Sequence, residues 1–281
     1  ANFIVHAAAL SPIQSVICPD SGHVYAHEAG SIENTGHKLV PLPSTDGKIS
    51  AEQIREVAAS YYNSGEPNYI CEPKMVYISF PTEWGTIYSE QELREIRKVC
   101  DEYGMYLFAD GARLGYGLGS VKNDLTLEKL AELTDVFYIG GTKCGALFGE
   151  ALVITNKKLA RKFRTYMKQN GAVMAKGWLL GMQFCSLLED GTYAKMTAQA
   201  DAYALEIKAA FKEKRIREYV ESYTNQLFVV LTKEQAEVLG KEYIFEYLQD
   251  LADGSMVVRF CTSWATTEAE KDQLIRDIRA L

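Results

Sequence analysis

The sequence predicts an α/β fold: a larger domain on a mainly parallel sheet, followed by a smaller C-terminal α/β domain. Three observations carry this. Short, apolar, β-rich segments alternate with capped amphipathic helices through the first half of the chain. From Lys157 to Lys214 the pattern becomes almost wholly helical, with Gly171 and Gly191 as breaks. Strand patterns then return before a last capped helix. The division is expected at residues 1–200 and 201–281.

Each element has a local reason. Ala1 to Leu10 is apolar and helix-forming, but no Ser, Thr, Asp or Asn precedes it, so it reads as a helix entered part-way. Gln14 to Ile17 and Lys38 to Leu42 read as strands, separated by the turn Asp20-Ser21-Gly22 and the segment His23 to Glu28. Ser44-Thr45-Asp46-Gly47 is a turn. Ser50 with Gln53 forms a capping box before Ile54, Val57 and Tyr61, which recur at helical spacing. Met75 to Phe80 is a buried strand. Ser89 with Glu92 caps a helix bearing Leu93, Ile96, Cys100 and Tyr103 on one face, and Gly104 stands at its C-cap. Met105 to Ala109 is a strand ending at Asp110. A helix around Leu125 to Leu133 leads to the strand Val136 to Ile139, and Ala151 to Ile154 is another. Leu227 to Leu231 and Met256 to Cys261 are strands. Thr232 with Gln235, and Thr267 with Glu270, cap the helices that follow each of them.

Composition bounds the function. The chain has 281 residues, 47% hydrophobic and 24% charged, ordinary for a soluble globular protein. A net charge of −7 argues against a nucleic-acid partner. No apolar run approaches a membrane span and no signal peptide is visible. Six cysteines without a CxxC pair read as reduced thiols of a cytoplasmic protein. There is no P-loop, GxGxxG or GxSxG motif.

One stretch stands out. Between Asp135 and Glu150 the only charged side chain is Lys143, set in a glycine-rich loop between two apolar strands. Desolvation there lowers an ammonium's pKa and turns it toward a nucleophilic amine; the alternative is a loop lysine reaching out to water. Asp110, before Gly111, is either a turn residue or a carboxylate at the mouth of the sheet. Arg113 is either its ion-pair partner or an anion clamp. Ligands gather at strand ends in such sheets, where Asp110 and Lys143 both fall. His23 and His27 are spaced for one helix face, but HExxH is absent, and a histidine stacked on a flat ring suits this turn better than a metal site.

Gly140-Gly141-Thr142-Lys143-Cys144-Gly145, Phe108-Ala109-Asp110-Gly111-Ala112-Arg113-Leu114, and Ser21-Gly22-His23-Val24-Tyr25-Ala26-His27-Glu28-Ala29-Gly30 together resemble the threonine aldolase family. These are pyridoxal 5'-phosphate enzymes related to the β-eliminating lyases, with the fold of the aspartate aminotransferases. The likeness runs along essentially the whole chain. It implies that Lys143 carries the cofactor covalently and Asp110 pairs with its ring nitrogen. His23 would stack on the ring and act as base, Thr142 would meet the phosphate, and Arg113 and Arg259 would grip the substrate carboxylate. The implied reaction is retro-aldol cleavage of threonine or allo-threonine to glycine and an aldehyde, in a homodimer or homotetramer. Two departures stand against the family pattern. Thr82-Glu83 replaces a Thr-His pair, making Glu83 a polar wall or base. Of the phosphate-binding Gly-Ser/Thr-x-Ala-Asn motif only Ala1-Asn2 is present, as though an N-terminal segment were missing. A β-eliminating lyase or a racemase would use the same Lys143 and Asp110, and an inactive scaffold subunit is the reading of a different class.

Overall fold

The computed structural model describes residues 1–281. The first half alternates as the sequence pattern demands: α1 (Asn2–Ala9), β1 (Gln14–Pro19), the short α2 (His23–Ala26), β2 (Lys38–Leu42), α3 (Ala51–Tyr62) and β3 (Glu72–Ser79). It continues with α4 (Glu90–Tyr103), β4 (Tyr106–Asp110), α5 (Leu114–Gly119), α6 (Leu127–Leu133), β5 (Val136–Gly140) and β6 (Glu150–Ile154). Three helices follow, α7 (Lys157–Gln169), α8 (Trp178–Glu189) and α9 (Thr192–Glu213). The remainder is β7 (Glu218–Val220), β8 (Gln226–Leu231), α10 (Lys233–Leu239), β9 (Glu246–Asp250), β10 (Met256–Cys261) and α11 (Glu268–Ala280).

Six strands form one sheet in the order β2-β1-β3-β4-β5-β6, parallel throughout except for the antiparallel β6. Both faces are covered, as a parallel sheet requires. Because side chains alternate along a strand, each strand feeds two cores. Ile17, Val76, Ile78, Leu107, Phe137 and Ile139 enter the larger core beneath α3 to α6. Val16, Met75, Tyr77, Phe108, Val136 and Tyr138 face the opposite core, shared with α1 and α7.

A four-stranded antiparallel sheet, β7-β8-β10-β9, makes the C-terminal unit. Its core packs α9 and α11 against Leu227, Val229, Leu231, Val258 and Phe260. Helix α9 runs unbroken through residue 200, with Tyr193 and Ala200 in the large core and Ala204, Ile207 and Phe211 in the small one. The sequence division at 200/201 therefore lies inside a helix.

All four capping boxes form with both reciprocal hydrogen bonds, at Ser50, Ser89, Thr232 and Thr267. Gly104 closes α4 in the left-handed conformation, at φ 63°. Strands β7 and β9 and helix α5 have no clear sequence pattern. β9 is mostly exposed with two acids, and α5 is Leu-Gly-Tyr-Gly-Leu-Gly, a poor helix former held by burial. Its glycines let it press against neighbours: a Cβ on Gly115 would come within 2.6 Å of Thr197, and one on Gly117 within 2.8 Å of Phe80.

Candidate active site

Strand parity builds the site. Asp110 ends β4 two residues after Phe108, so it faces the α1 side of the sheet. Tyr77 of β3 and Tyr138 of β5 lie on that same face, one on each flanking strand. Asp110 is 4% exposed, and both oxygens are doubly engaged. Oδ2 accepts from Tyr77 OH at 2.6 Å and Asn2 Nδ2 at 2.9 Å; Oδ1 accepts from Ala112 N at 3.0 Å and from Tyr138 OH. A carboxylate has about four acceptor positions, so its capacity is filled. The expected alternative of an Asp110–Arg113 ion pair is not what forms, because these four donors take every position.

Lys143 lies in the loop between β5 and β6. Gly140 and Gly141 are required there. A Cβ on Gly140 would meet the Ala112 carbonyl at 2.3 Å, and one on Gly141 the Gly149 carbonyl at 2.4 Å. Two tyrosines pin the loop: Tyr193 OH donates to Gly140 O at 3.0 Å, and Tyr116 OH to Lys143 O at 2.5 Å. Glu150 accepts from Gly141 N at 2.7 Å; burial pushes its pKa up to about 6, against that hydrogen bond. Lys143 is accessible from solvent and its ammonium makes no ion pair. Surrounding protein nevertheless holds its pKa below the ordinary lysine value, through desolvation first and the Arg113 guanidinium second.

His23 opens α2, and its Nδ1 lies 2.9 Å from Glu28 Oε1. That hydrogen bond raises its pKa, against partial burial. His23 and His27 rings are 5.9 Å apart. Glu83 Oε1 accepts from the backbone N–H of His23 at 2.8 Å and from Ser79 Oγ at 2.5 Å, while Oε2 is buried without a partner. Arg113 is half-buried and unpaired beside Lys143. Arg259 is also within electrostatic range of Lys143, but it pairs with Glu246 and donates to Gln226 Oε1 at 3.1 Å. Thr142 is exposed, with no side-chain hydrogen bond. Lys143, Asp110, His23 and Arg113 thus meet beyond the C-terminal ends of the parallel strands, with Arg259 of the second sheet within electrostatic range of Lys143.

The β-eliminating lyase family model matches residues 1–234. The chain belongs to this family. It is 32% identical, over 100% of its own length and 80% of the relative's, to the low specificity L-threonine aldolase of a Pseudomonas species. The low specificity L-threonine aldolase of Saccharomyces cerevisiae is 27% identical over 64% of this chain and 46% of that protein. A Leishmania major threonine aldolase structure superposes with a TM-score of 0.95 at 43% identity, covering 99% of this chain and 80% of that one. An Escherichia coli structure described as having a methionine aminotransferase function superposes at 0.72 with 14% identity, covering 99% of this chain and 75% of that one, a likeness of fold alone.

The family's cofactor is pyridoxal 5'-phosphate, and the donor set fits it. Lys143 is an accessible amine of lowered pKa, which an aldehyde would require, and Asp110 is a fixed carboxylate, which a protonated ring nitrogen would require. Among the side-chain donors to Asp110, Asn2 alone also donates to a second carboxylate, Glu28, so it could yield its place to a ring N–H.

Sequence reading placed Asn2 only in the remnant of a phosphate motif, not at Asp110, and missed Tyr77, Tyr138, Tyr116 and Tyr193. Only the strand parity of 77, 108, 110 and 138 could have placed the first tyrosine pair on the aspartate's face. The tyrosines under the Lys143 loop arrive from distant helices and leave no local signal.

Glu83 carries a pH dependence. Its pKa is raised by burial, opposed by the Ser79 hydrogen bond and reinforced by Asp110. The folded chain therefore holds this proton more tightly than the unfolded one, so stability falls as pH rises from the ordinary glutamate value through the raised one. Glu83→Gln removes that loss. The melting temperature of the variant minus that of the wild type should increase as pH rises above the ordinary glutamate value. A difference independent of pH contradicts the assignment.

Proposed function

We propose that the chain cleaves threonine-type β-hydroxy-α-amino acids between Cα and Cβ, releasing glycine and an aldehyde. The observation that carries this is the convergence of an amine of lowered pKa, a buried carboxylate and a carboxylate-paired imidazole. Lys143, Asp110 and His23 all lie within electrostatic range of one another. Its aldolase relatives support the same reading.

The residues divide the work. Lys143 would hold the cofactor through its aldehyde, and Asp110 would keep its ring nitrogen protonated. Arg113, unpaired, takes the substrate carboxylate, with Arg259 as the second fork once it shares its bond to Glu246. Thr142 would meet the phosphate. His23 removes the β-hydroxyl proton as the Cα–Cβ bond breaks and the aldehyde carbonyl forms. When bound, pyridoxal phosphate supplies the electron sink for the pair left on Cα. A proton returned to Cα completes glycine. Glu83, beside the His23 backbone, is the polar wall on that side.

β-Elimination or racemisation would use Lys143 and Asp110 alike. A positioned base for a β-hydroxyl favours aldol cleavage, and the presence of both Lys143 and Asp110 disfavours an inactive scaffold.

The partner we propose is a second copy of the chain. Leu147 and Phe148 in the Lys143 loop, with Trp178 and Met182 on α8, form an exposed apolar area, and Leu147 is 85% exposed. Gln183 ties the Lys143 loop to α8, accepting from Leu147 N at 2.7 Å, so the exposed loop and helix side chains border the site together. The six cysteines are all unpaired, which supports a reducing, cytoplasmic setting. No helix is long and apolar enough to cross a membrane.

Cofactor-loaded protein should release acetaldehyde from threonine or allo-threonine, read by coupled alcohol dehydrogenase. Lys143→Ala should abolish turnover. His23→Ala should cost about 10²–10⁴-fold, and Asp110→Asn more, because an amide cannot keep the ring nitrogen protonated. Pyruvate from serine with no aldehyde from threonine overturns the reading. In sedimentation velocity the wild type should be a dimer or larger, shifted toward monomer by Leu147→Ser with Trp178→Ser. A wild type that stays monomeric at micromolar concentration contradicts the second copy.

A further inference from the structure

The turn after α2 does more than connect. Ala29 and Gly30 both adopt the left-handed conformation, at φ 51° and 72°. For alanine this is a strained choice. Helix α2 and its His27 cap bring Glu28 to the His23 ring, five residues away, and the turn then folds the chain back so that Ser31 reaches Glu28. Glu28 Oε1 faces His23 Nδ1 at 2.9 Å and accepts from Asn2 Nδ2 at 2.5 Å; Oε2 accepts from Ser31 Oγ at 2.7 Å.

We propose that Glu28 is a positioning residue for His23: it holds the ring proton on Nδ1 and leaves Nε2 as the basic atom for the substrate hydroxyl. This rests on the aldol reading above, which gives His23 its proton to take.

The chemistry fixes the tautomer. Burial raises the Glu28 pKa, but the hydrogen bonds from His23, Asn2 and Ser31 outweigh it and bring it down to about 2. Glu28 is then an anion throughout the working range and can only accept. The proton in the His23–Glu28 contact therefore belongs to Nδ1. Neutral His23 is left with one free lone pair, on Nε2. A carboxylate behind the ring also makes that nitrogen a stronger base.

The same carboxylate joins the two halves of the site. The Asn2 amide nitrogen donates to Glu28 Oε1 and to Asp110 Oδ2, so one neutral group bridges two acids that would otherwise repel. The orientation of His23 is thereby tied to the residue that receives the ring nitrogen. Five other groups bear on the imidazole. Glu28 raises its pKa most, Asp110 raises it further and Lys143 lowers it. His27 lies alongside, and Glu83 is held on the His23 backbone N–H.

The test needs no turnover. The sequence has four histidines, so ¹⁵N- and ¹³C-histidine-labelled chain without cofactor gives four ring systems, assigned by single substitution. His23 should titrate above the ordinary histidine value and, when neutral, carry its proton on Nδ1. Glu28→Gln keeps the shape, and should lower the midpoint by on the order of one pH unit and shift the proton toward Nε2. Glu28→Asp, which keeps the charge, should restore part of the midpoint. In the loaded enzyme, the acidic limb of the kcat/KM profile should move in the same direction in Glu28→Gln. An unchanged midpoint and tautomer in Glu28→Gln overturns the proposal. If circular dichroism shows that variant unfolded, wild-type His23 neutral in the Nε2–H form overturns it instead. A normal NMR result with no aldehyde from threonine defeats the aldol reading and leaves the Glu28–His23 pair standing.

Discussion

The arrangement depends on one buried carboxylate. Asp110 collects a donor from α1, one from β3, one from β5 and one from its own turn. Each donor is a side chain or amide whose place is set by a different element. An unpaired carboxylate at this depth would cost several kcal/mol. Filling its acceptor positions therefore aligns α1 with the ends of three neighbouring strands. The tyrosines show the reciprocal effect: burial, with Asp110 beside them, pushes the pKa of both Tyr77 and Tyr138 well up, so both stay protonated donors.

Around that carboxylate the site separates its charges. Glu28, Glu83 and Glu150 flank it, yet each is handled differently: Glu28 is held ionised, while burial raises Glu83 and Glu150. Lys143 is likewise pushed toward its neutral form, first by desolvation and then by Arg113 and Arg259, with Asp110 and Glu150 acting the other way. The result is an amine that remains accessible without being locked into an ion pair. A lysine paired tightly to an acid would be charged and a poor nucleophile.

Much of the fold was legible because its signals are local. Apolar periodicity, the four capping boxes and the αL glycine after α4 specify element type and ends without reference to the rest of the chain. Helix α5 and strands β7 and β9 were not legible. Their sequences are weak formers and their conformation comes from what packs on them. The site divides the same way. Lys143, Asp110 and His23 stand in short motifs with unusual local composition. Asn2 contacts Asp110 across 108 positions and Tyr193 reaches Gly140 across 53, separations at which a single sequence carries no pairing signal. The Asp110–Arg113 ion pair was a reasonable local expectation. It gave way to donors that only the folded sheet brings close.

The most direct test of the Asp110 account is hydrogen–deuterium exchange on the cofactor-free chain, wild type against Asp110→Asn. An amide cannot accept from all four donors, so α1 and the segment from Tyr138 to Gly145 should lose protection together. The four-stranded C-terminal sheet, with its own core, should exchange as before. Equal protection of α1 in the two proteins would contradict the claim that this carboxylate holds the site together.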